Sequence, residues 1–162
     1  VNTIPYLPVT SFFFTVDEPF WQQDQYPPAM WTTSILERIF PLASPDNTQL
    51  IFWGLINGNN ALEFDKRSRS EQEQLILNEV GRIRPTMAGK ISLKKIHSWT
   101  KYSHNKGAWS YWKAGQISKF GNIYSQAHAN IHFAGEHTAV FASGMEAAFE
   151  SGERAAWEIL DK

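Results

Sequence analysis

The stretch that most constrains the fold is residues 131–160, IHFAGEHTAVFASGMEAAFESGERAAWEIL. Its first four residues are apolar enough for a central strand, and Gly135 follows directly, where a backbone must turn sharply or approach a ligand closely. Beyond a short loop, small residues dominate a helix-length segment that ends at Leu160. The pattern predicts a buried strand over 131–134 and a helix over 143–160 that packs closely on a sheet or a flat ring.

The start of this helix has the features of an anion site. Ser143 and Glu146 have the S-x-x-E spacing of a capping box, so the helix should begin at Ser143. The first N–H groups, near Gly144, Met145 and Glu146, carry partial positive charge and suit a phosphate or a heterocycle that becomes negative on reduction. On the pattern alone, an ordinary capped helix with a small-residue packing face is the commoner case, and this alternative stays open.

The rest of the chain predicts strands before helices. Apolar or alternating segments predict four strands, at Val9–Val16, Ile35–Phe40, Leu50–Ile56 and Ile91–Trp99. Turn-forming residues predict loops at 21–33, 41–48 and 57–60, and the segment 107–121 reads as irregular and aromatic. A helix is predicted over Ser68–Ile83, capped by Ser70 and ended by Pro85. This order is typical of an α+β part followed by the last strand–helix of a nucleotide-binding domain.

Composition excludes several classes of function. The net charge of −1 offers no electrostatic case for nucleic acid or an anionic membrane, and no apolar run approaches the ~20 residues of a membrane span. With no cysteine there are no disulfides, thiolate nucleophiles or Cys-ligated metals, and the five histidines form no metal-binding pair. The chain opens within what reads as a strand, so we expect Val1 to be internal to a longer polypeptide, exposed by proteolysis, a split gene or expression design.

The strings FAGEHT and SGMEAAFESGERAA closely resemble the C-terminal signature of the flavin-containing amine oxidases, a family that includes monoamine, L-amino acid and polyamine oxidases. VTSFFFTVDEPFW and GAWSYWKAGQ resemble other family segments more loosely, so the resemblance covers nearly the whole chain but only the C-terminal part of the family's length.

This resemblance implies a domain division. Residues 1–106 would be a segment of an α+β substrate-binding part, with a mixed or antiparallel sheet. Residues 107–162 would be the C-terminal part of a Rossmann-like FAD-binding domain. The glycine-rich G-x-G-x-x-G half, and a lysine near flavin N5, would lie on a companion chain. We expect this chain to be stable only in complex with that partner, because an unpaired central strand exposes its edge and its apolar surface.

The resemblance also implies cofactor-binding residues. Gly135 and Glu136 match a Gly-Glu pair that lies along the ribityl–phosphate part of FAD. Met145 matches the residue whose backbone N–H meets the flavin C2 carbonyl, where the helix dipole stabilises the reduced anion. Gly144 stands where the family often has an aromatic wall, so the pocket should be larger. Ala148 is one of the small residues that allow the helix to approach a flat ring.

Two further matches concern the substrate and the attachment of the cofactor. Trp109 matches the first wall of the family's aromatic cage, which flanks the amine, and it is the candidate catalytic residue; packing is the alternative role. Ala108 matches the cysteine that bonds flavin in monoamine oxidases, so FAD should be held non-covalently. Tyr111 and Trp112 are neighbours whose orientation the sequence leaves open.

The reaction implied is oxidation of an amine or L-amino acid to an imine, with O2 reduced to hydrogen peroxide. Related flavoenzymes, namely amino acid monooxygenases, desaturases and isomerases, are the first alternative. An inactive orphan fragment that acts as a binding or structural module is the second. The group that binds a substrate carboxylate is expected on the companion segment, so the sequence does not identify the substrate.

Overall fold

A computed structural model describes residues 4–44, 49–121, 123–139 and 143–161, and the chain divides into two compact units. We call Pro8–Ala108 the sheet unit, and Val1–Leu7 together with Trp109–Lys162 the terminal unit. The sequence-based boundary after residue 106 lies next to this division, whereas the first seven residues belong with the C-terminal segment. The assignment of a substrate part and an FAD part stays a prediction.

The sheet unit contains an antiparallel sheet of five described strands in the order β2-β3-β4-β1-β5. The strands are β1 Val9–Val16, β2 Met30–Trp31, β3 Arg38–Leu42, β4 Leu50–Asn57 and β5 Ile91–Ser98. The predictions for β1, β4 and β5 are confirmed within one residue at each end. β3 begins three residues later than predicted and includes Pro41, which was assigned to a loop; residues 45–48 of that loop lie outside the described part.

The core lies on one face of this sheet. Side chains alternate along β1, so Phe12 and Phe14 point to the same face and stack at 6.2 Å between ring centroids, and Phe14 stacks on Phe52 at 5.3 Å. Helices α2 Gly58–Asp65 and α3 Arg69–Ile83 contribute buried apolar residues to the same cluster. Those residues are Ala61, Phe64, Ile76 and Val80.

Helix α2 corrects the prediction of a loop over residues 57–60. Asn57 and its neighbours favour turns, but Gly58 turns the chain out of β4 at φ +59°, and Ala61 and Phe64 are then fully buried. Burial of these two side chains on one helical face outweighs the local turn preference. The predicted loop at 21–33 likewise contains a short helix, α1 Trp21–Asp24, and the short strand β2.

The cap of α3 is Ser68 and not Ser70. The Ser68 hydroxyl accepts from the backbone N–H of Glu71 at 3.4 Å, and the Glu71 carboxylate accepts from the Ser68 N–H at 2.8 Å, which completes a capping box. Starting the helix at Arg69 satisfies both donors, while Ile76 and Val80 still face the core. The sequence contained this signal, because Ser68 and Glu71 have the capping-box spacing.

Replacing Ser68 with alanine should lower the free energy of unfolding by about 1 kcal/mol. The substitution removes the hydroxyl that accepts from the Glu71 N–H and donates to the Glu71 carboxylate. Ser70→Ala is the matched control, since Ser70 lies inside the helix, and it should be neutral or slightly stabilising. Urea denaturation of both variants distinguishes them. An equal loss in Ser70→Ala would contradict the observed cap.

The terminal unit contains helices α4 Gln116–Phe120 and α5 Gly144–Leu160. The strand predicted over 131–134 is wrong: Ile131 forms only an isolated bridge with His128, and Ile131 and Phe133 are 56% and 40% exposed. A strand exists only beside a partner, and no described strand pairs with this segment. α4 lies in a segment predicted to be irregular. No helix in the described part of the chain is long and apolar enough to cross a bilayer.

Candidate functional site

The first turn of α5 is capped by a carboxylate from the loop that precedes the helix. Ser143 takes the extended N-cap conformation, as predicted, but its side chain makes no cap hydrogen bond, so the predicted capping box with Glu146 is wrong. Instead, the N–H of Gly144 donates to Oε2 of Glu136 at 3.3 Å. A negative charge at this end of a helix is favourable because the macrodipole is positive there.

The other carboxylate oxygen of Glu136 binds the segment that follows Trp109. Its Oε1 accepts from the Ser110 N–H at 2.6 Å and from the Ser110 hydroxyl at 3.1 Å. Hydrogen bonds to an ionised acceptor are about twice as strong as neutral ones. One carboxylate therefore ties the chain next to Trp109 to the start of α5.

The backbone around Trp109 is also held by the N-terminal residues. The Leu7 N–H donates to the Trp109 carbonyl at 2.8 Å, and the Tyr111 N–H donates to the Pro5 carbonyl at 3.1 Å, so Tyr6 and Ser110 form an antiparallel bridge. These pairs are more than a hundred residues apart in sequence. No local pattern indicated them, and sequence reasoning missed both Tyr6 and Ser110.

Tyr6 adds a polar side chain beside this segment. Its hydroxyl lies 3.3 Å from Nδ1 of His137, the next residue after Glu136. Burial, and then the nearby charge of Glu136, raise the pKa of Tyr6 above its usual value, so Tyr6 is a neutral phenol at physiological pH. His137 therefore lies beside the residues that Glu136 contacts.

Gly135 occupies a position that only glycine fits. Its φ is +144°, and a Cβ built there would lie 2.7 Å from Cε1 of His137. Its N–H donates to the Ser151 hydroxyl at 2.8 Å, which joins the loop to the buried side of α5. Gly135 is thus in close contact with His137 and Ser151, and the predicted close approach to a ligand stays a prediction.

Helix α5 has one buried face of small residues and one uncovered face. Ala147, Ser151 and Ala155 are buried, as expected for close packing against the preceding loop. The other face is uncovered, and its described residues are Met145, Ala148, Phe149, Gly152 and Ala156. Met145 is 81% exposed, and a Cβ placed on Gly144 or Gly152 would meet no atom within 4 Å. The start of α5 and the Ala148–Gly152 strip therefore leave room for a flat group.

Arg154 connects α5 to the preceding segment through hydrogen bonds. Its guanidinium donates to the Phe133 carbonyl at 2.7 Å and the Ser125 carbonyl at 3.0 Å, and it pairs with Glu158. Glu158 also lies 2.8 Å from Nδ1 of His132, and the His132 and Arg154 contacts hold the pKa of that carboxyl below its usual range. The contact with Glu158 gives His132 a structural role in the terminal unit.

The remaining predicted residues are placed as follows. Ala108 is half-buried and is the last residue of the sheet unit. Trp112 packs edge-on against Tyr124 at 5.3 Å, which accounts for its orientation, and Tyr111 is 38% exposed. Within the terminal unit, Glu136 connects Gly144 with the residue after Trp109. The roles of these residues toward a cofactor stay predictions.

Comparison with solved structures shows the fold. Cyclohexylamine oxidase from Brevibacterium oxydans aligns with a TM-score of 0.81 and 22% identity over 98% of this chain and 36% of that one. An engineered triple variant of putrescine oxidase aligns with a TM-score of 0.83 and 15% identity over 99% and 37%. Wild-type putrescine oxidase bound to putrescine aligns with a TM-score of 0.76 and 16% identity over 95% and 35%.

This chain therefore spans little more than a third of the length of these structures, and its sheet and helices match part of their fold. No curated protein matches the sequence. The family model for flavin containing amine oxidoreductases matches residues 1–160. Because that match extends over nearly the whole sequence, and because the fold agrees, this chain belongs to the flavin-containing amine oxidoreductase family.

Proposed function

We propose that the chain is the C-terminal part of an FAD-dependent oxidase that converts an amine or L-amino acid to an imine. In the net reaction, the substrate loses two electrons and two protons to O2, which gives H2O2, and water then hydrolyses the imine to a carbonyl compound and ammonia. The observation that carries the proposal is the family match over residues 1–160. When bound, the flavin supplies the acceptor for the hydride equivalent from the carbon next to nitrogen.

The start of α5 fits the proposed cofactor. The Gly144 N–H donates to Glu136, and the next N–H groups of this first helical turn, at the exposed Met145, lie where the helix dipole stabilises negative charge. Ala148 and Gly152 project no large side chain, so a flat ring can approach the helix. The chain has no cysteine and has Ala108 at the position of the flavin-bonding residue, which supports non-covalent FAD.

Trp109 is the proposed wall of the substrate site. An aromatic face attracts an ammonium group and then gives the deprotonated amine an apolar surface. Three hydrogen bonds hold the backbone at and directly after this residue: one from the Leu7 N–H to the Trp109 carbonyl, one to the Glu136 carboxylate and one to the Pro5 carbonyl. The position of the ring therefore depends on Glu136, which acts as a positioning residue.

A companion segment would complete the cofactor site. We propose that the terminal unit is the C-terminal part of a Rossmann-like domain, whose glycine-rich half binds the FAD pyrophosphate, and that the sheet unit belongs to the substrate part. Exposed apolar side chains support a covering partner, since soluble proteins rarely leave large apolar patches open. These include Ile131, Phe133, Phe149, Trp157 and Leu160.

A related flavoenzyme is the second candidate, an amino acid monooxygenase, desaturase or isomerase. Gly144 favours it, because the surrounding space is open where the family often has an aromatic wall. Peroxide yield separates the two, since a monooxygenase transfers oxygen to its product whereas an oxidase releases one H2O2 for each amine oxidised. An orphan fragment without activity would bind no flavin.

Replacing Glu136 with glutamine should weaken FAD binding by about tenfold or more, because an amide cannot accept all the donors that the carboxylate accepts. Ser110 and Gly144 would then lose their fixed positions. Glu153→Gln is the matched control, since Glu153 is an exposed carboxylate on α5. Equilibrium titration of the apoprotein with FAD measures the effect, and equal affinities in the two variants would contradict the role of Glu136.

The proposed reaction is tested by supplying the intact flavoprotein with a panel of amines and L-amino acids. Hydrogen peroxide, ammonia and carbonyl product are measured together. The proposal expects them in equal amounts for at least one substrate, and a Trp109→Leu variant that retains FAD should show a raised KM or lowered kcat. The contradicting result is a bound flavin that stays oxidised when each member of the panel is added in the absence of O2, and it would overturn the oxidase function.

A further inference from the structure

A tyrosine near one end of the chain contacts a histidine near the other, next to the proposed cofactor residues. The Tyr6 hydroxyl lies 3.3 Å from Nδ1 of His137, and the two rings stand edge-on with their centroids 6.4 Å apart. Both residues belong to the terminal unit. Backbone hydrogen bonds of Pro5 and Leu7, on either side of Tyr6, fix the position of the tyrosine.

The His137 ring fills the space beside Gly135. A Cβ on Gly135 would lie 2.7 Å from Cε1 and 3.0 Å from Nδ1 of His137, so the imidazole occupies the space that a larger residue would need. The Gly135 N–H donates to Ser151, and the Gly135 carbonyl accepts from the N–H and the hydroxyl of Thr138 at 2.9 and 2.8 Å. Glycine reaches a φ of +144° readily and also leaves it readily, so this conformation depends on the groups that surround it.

The orientation of the His137 ring depends on Tyr6. The χ2 torsion of histidine has a broad energy minimum, so an imidazole without a hydrogen-bond partner is free to turn. In either tautomer Nδ1 pairs with the Tyr6 hydroxyl, because a phenol both donates and accepts. A half-turn of the ring would replace Nδ1 with a carbon and lose this bond. The Tyr6 contact therefore selects the orientation in which the imidazole lies against Gly135.

The same turn carries the Glu136 side chain. Glu136 begins the short 3-10 helix Glu136–Thr138, and its carboxylate binds Ser110 with one oxygen and Gly144 with the other. Hydrogen bonds weaken steeply when their distance or angle departs from the preferred range, so a shift of the turn would weaken both contacts. The conformation of residues 135–137 thus determines where the proposed cofactor-binding carboxylate lies.

We propose that Tyr6 is a positioning residue for the FAD site, because through His137 it fixes the turn that carries the Glu136 carboxylate. The proposal rests on the proposed flavin binding, and it gives the first segment of the chain a role in a site that the last segment forms. A turn that is held in place before FAD binds loses less conformational freedom on binding. The Tyr6 hydroxyl therefore raises the affinity for FAD through the protein and not through contact with the cofactor.

The test is the FAD affinity of Tyr6→Phe, which loses one hydroxyl and keeps the ring. Equilibrium titration of the intact apoprotein should show an affinity lowered about fivefold, the loss expected for one neutral hydrogen bond. Tyr26→Phe is the matched control, because Tyr26 lies in the sheet unit and is 71% exposed, and it should bind FAD as wild type does.

Two substitutions of His137 test the route of the effect. His137→Asn should bind FAD more tightly than His137→Leu, because the Asn amide keeps a hydrogen-bonding atom near the position of Nδ1. In the His137→Leu background, Tyr6→Phe should cause no further loss of affinity, because the partner of the hydroxyl is already gone.

A Tyr6→Phe affinity equal to that of wild type would overturn the proposal. So would a loss that persists in the His137→Leu background, since Tyr6 would then act independently of the histidine. A wild-type protein that binds no FAD would overturn both this proposal and the proposed function. FAD binding with the expected dependence on Tyr6, but with no amine oxidation, would overturn the oxidase function alone and retain Tyr6 as a positioning residue.

Discussion

Replacing Gly54 with alanine is expected to cause the largest loss of stability in the sheet unit. Gly54 lies directly opposite Phe12 in the β1–β4 pairing, and the Phe12 ring covers it. A Cβ at Gly54 would lie 2.0 Å from Cζ of Phe12, far inside van der Waals contact. Phe12 is fully buried and stacked on Phe14, so its ring has no free space to enter. The free energy of unfolding should fall by about 3 kcal/mol or more.

Two variants distinguish steric overlap with the Phe12 ring from a general effect of replacing glycine with alanine. Gly81→Ala, in helix α3 of the same unit, places its Cβ 3.4 Å from the Ala88 side chain, an ordinary contact, and should be neutral or stabilising by up to about 1 kcal/mol. Phe12→Leu in the Gly54→Ala background should recover part of the stability, because a smaller side chain makes room. Denaturant midpoints measure all three. A Gly54→Ala protein as stable as wild type would contradict the strand register.

Replacing Arg84 with methionine should give the second largest loss of stability. The guanidinium donates to both carboxylate oxygens of Asp24, at 2.8 and 2.6 Å, and to the carbonyls of Pro27 and Tyr26 at 2.6 and 2.9 Å. It also lies 4.5 Å above the Phe20 ring. The Arg84 and Asp24 side chains are only 8% and 15% exposed, so removing one partner leaves a nearly buried charge unpaired. The thermal midpoint should fall on the order of 10 °C.

Lys66→Gln is the control for Arg84→Met, because the Lys66–Glu63 pair is more than 60% exposed on both sides and such pairs contribute about 0–1 kcal/mol. Differential scanning calorimetry of the two variants compares them. Equal midpoints would contradict the account, because they would show that the contacts of Arg84 contribute no more than a surface ion pair.

The same network predicts how stability changes with pH. Hydrogen bonds from Arg84 first, and then from Thr86 and the Tyr26 N–H, hold the pKa of Asp24 well below its usual range. A carboxyl with a depressed folded-state pKa adds stability in full above its unfolded pKa of about 3.9 and loses it as the pH falls toward the folded value. The difference in stability between wild type and Asp24→Asn should therefore shrink on acidification from pH 7. A constant difference in urea midpoint would contradict this.

The strands of the sheet were predictable because their signals are local. β1 and β4 are runs of β-branched and aromatic residues, and β5 alternates along its length. Their order and register were not predictable, since pairing between β1 and β4 depends on contacts about forty residues apart, such as Phe12 with Gly54. Helix α2 was missed because burial of Phe64 outweighs the turn preference of the Asn residues before it.

The candidate site was predictable only where a family motif lies in one continuous string. Glu136 and Gly144 were chosen on such strings, and the structure joins them through a hydrogen bond. Tyr6 and Ser110 were missed because their bridge connects the two ends of the chain. The 131–134 strand failed for a related reason: apolar composition predicts burial, but the sheet partners that would bury this segment are not among the described strands.

The most direct test of the central claim is the visible absorbance spectrum of the intact purified protein after incubation with FAD and removal of free cofactor by gel filtration. The account predicts flavin absorbance bands in the protein fraction, with one FAD bound per protein molecule. Acid precipitation should release all of this flavin to the supernatant, because position 108 is alanine and the chain contains no cysteine. A protein fraction without flavin absorbance would contradict the flavoenzyme function, and flavin that stays with the precipitate would contradict non-covalent binding.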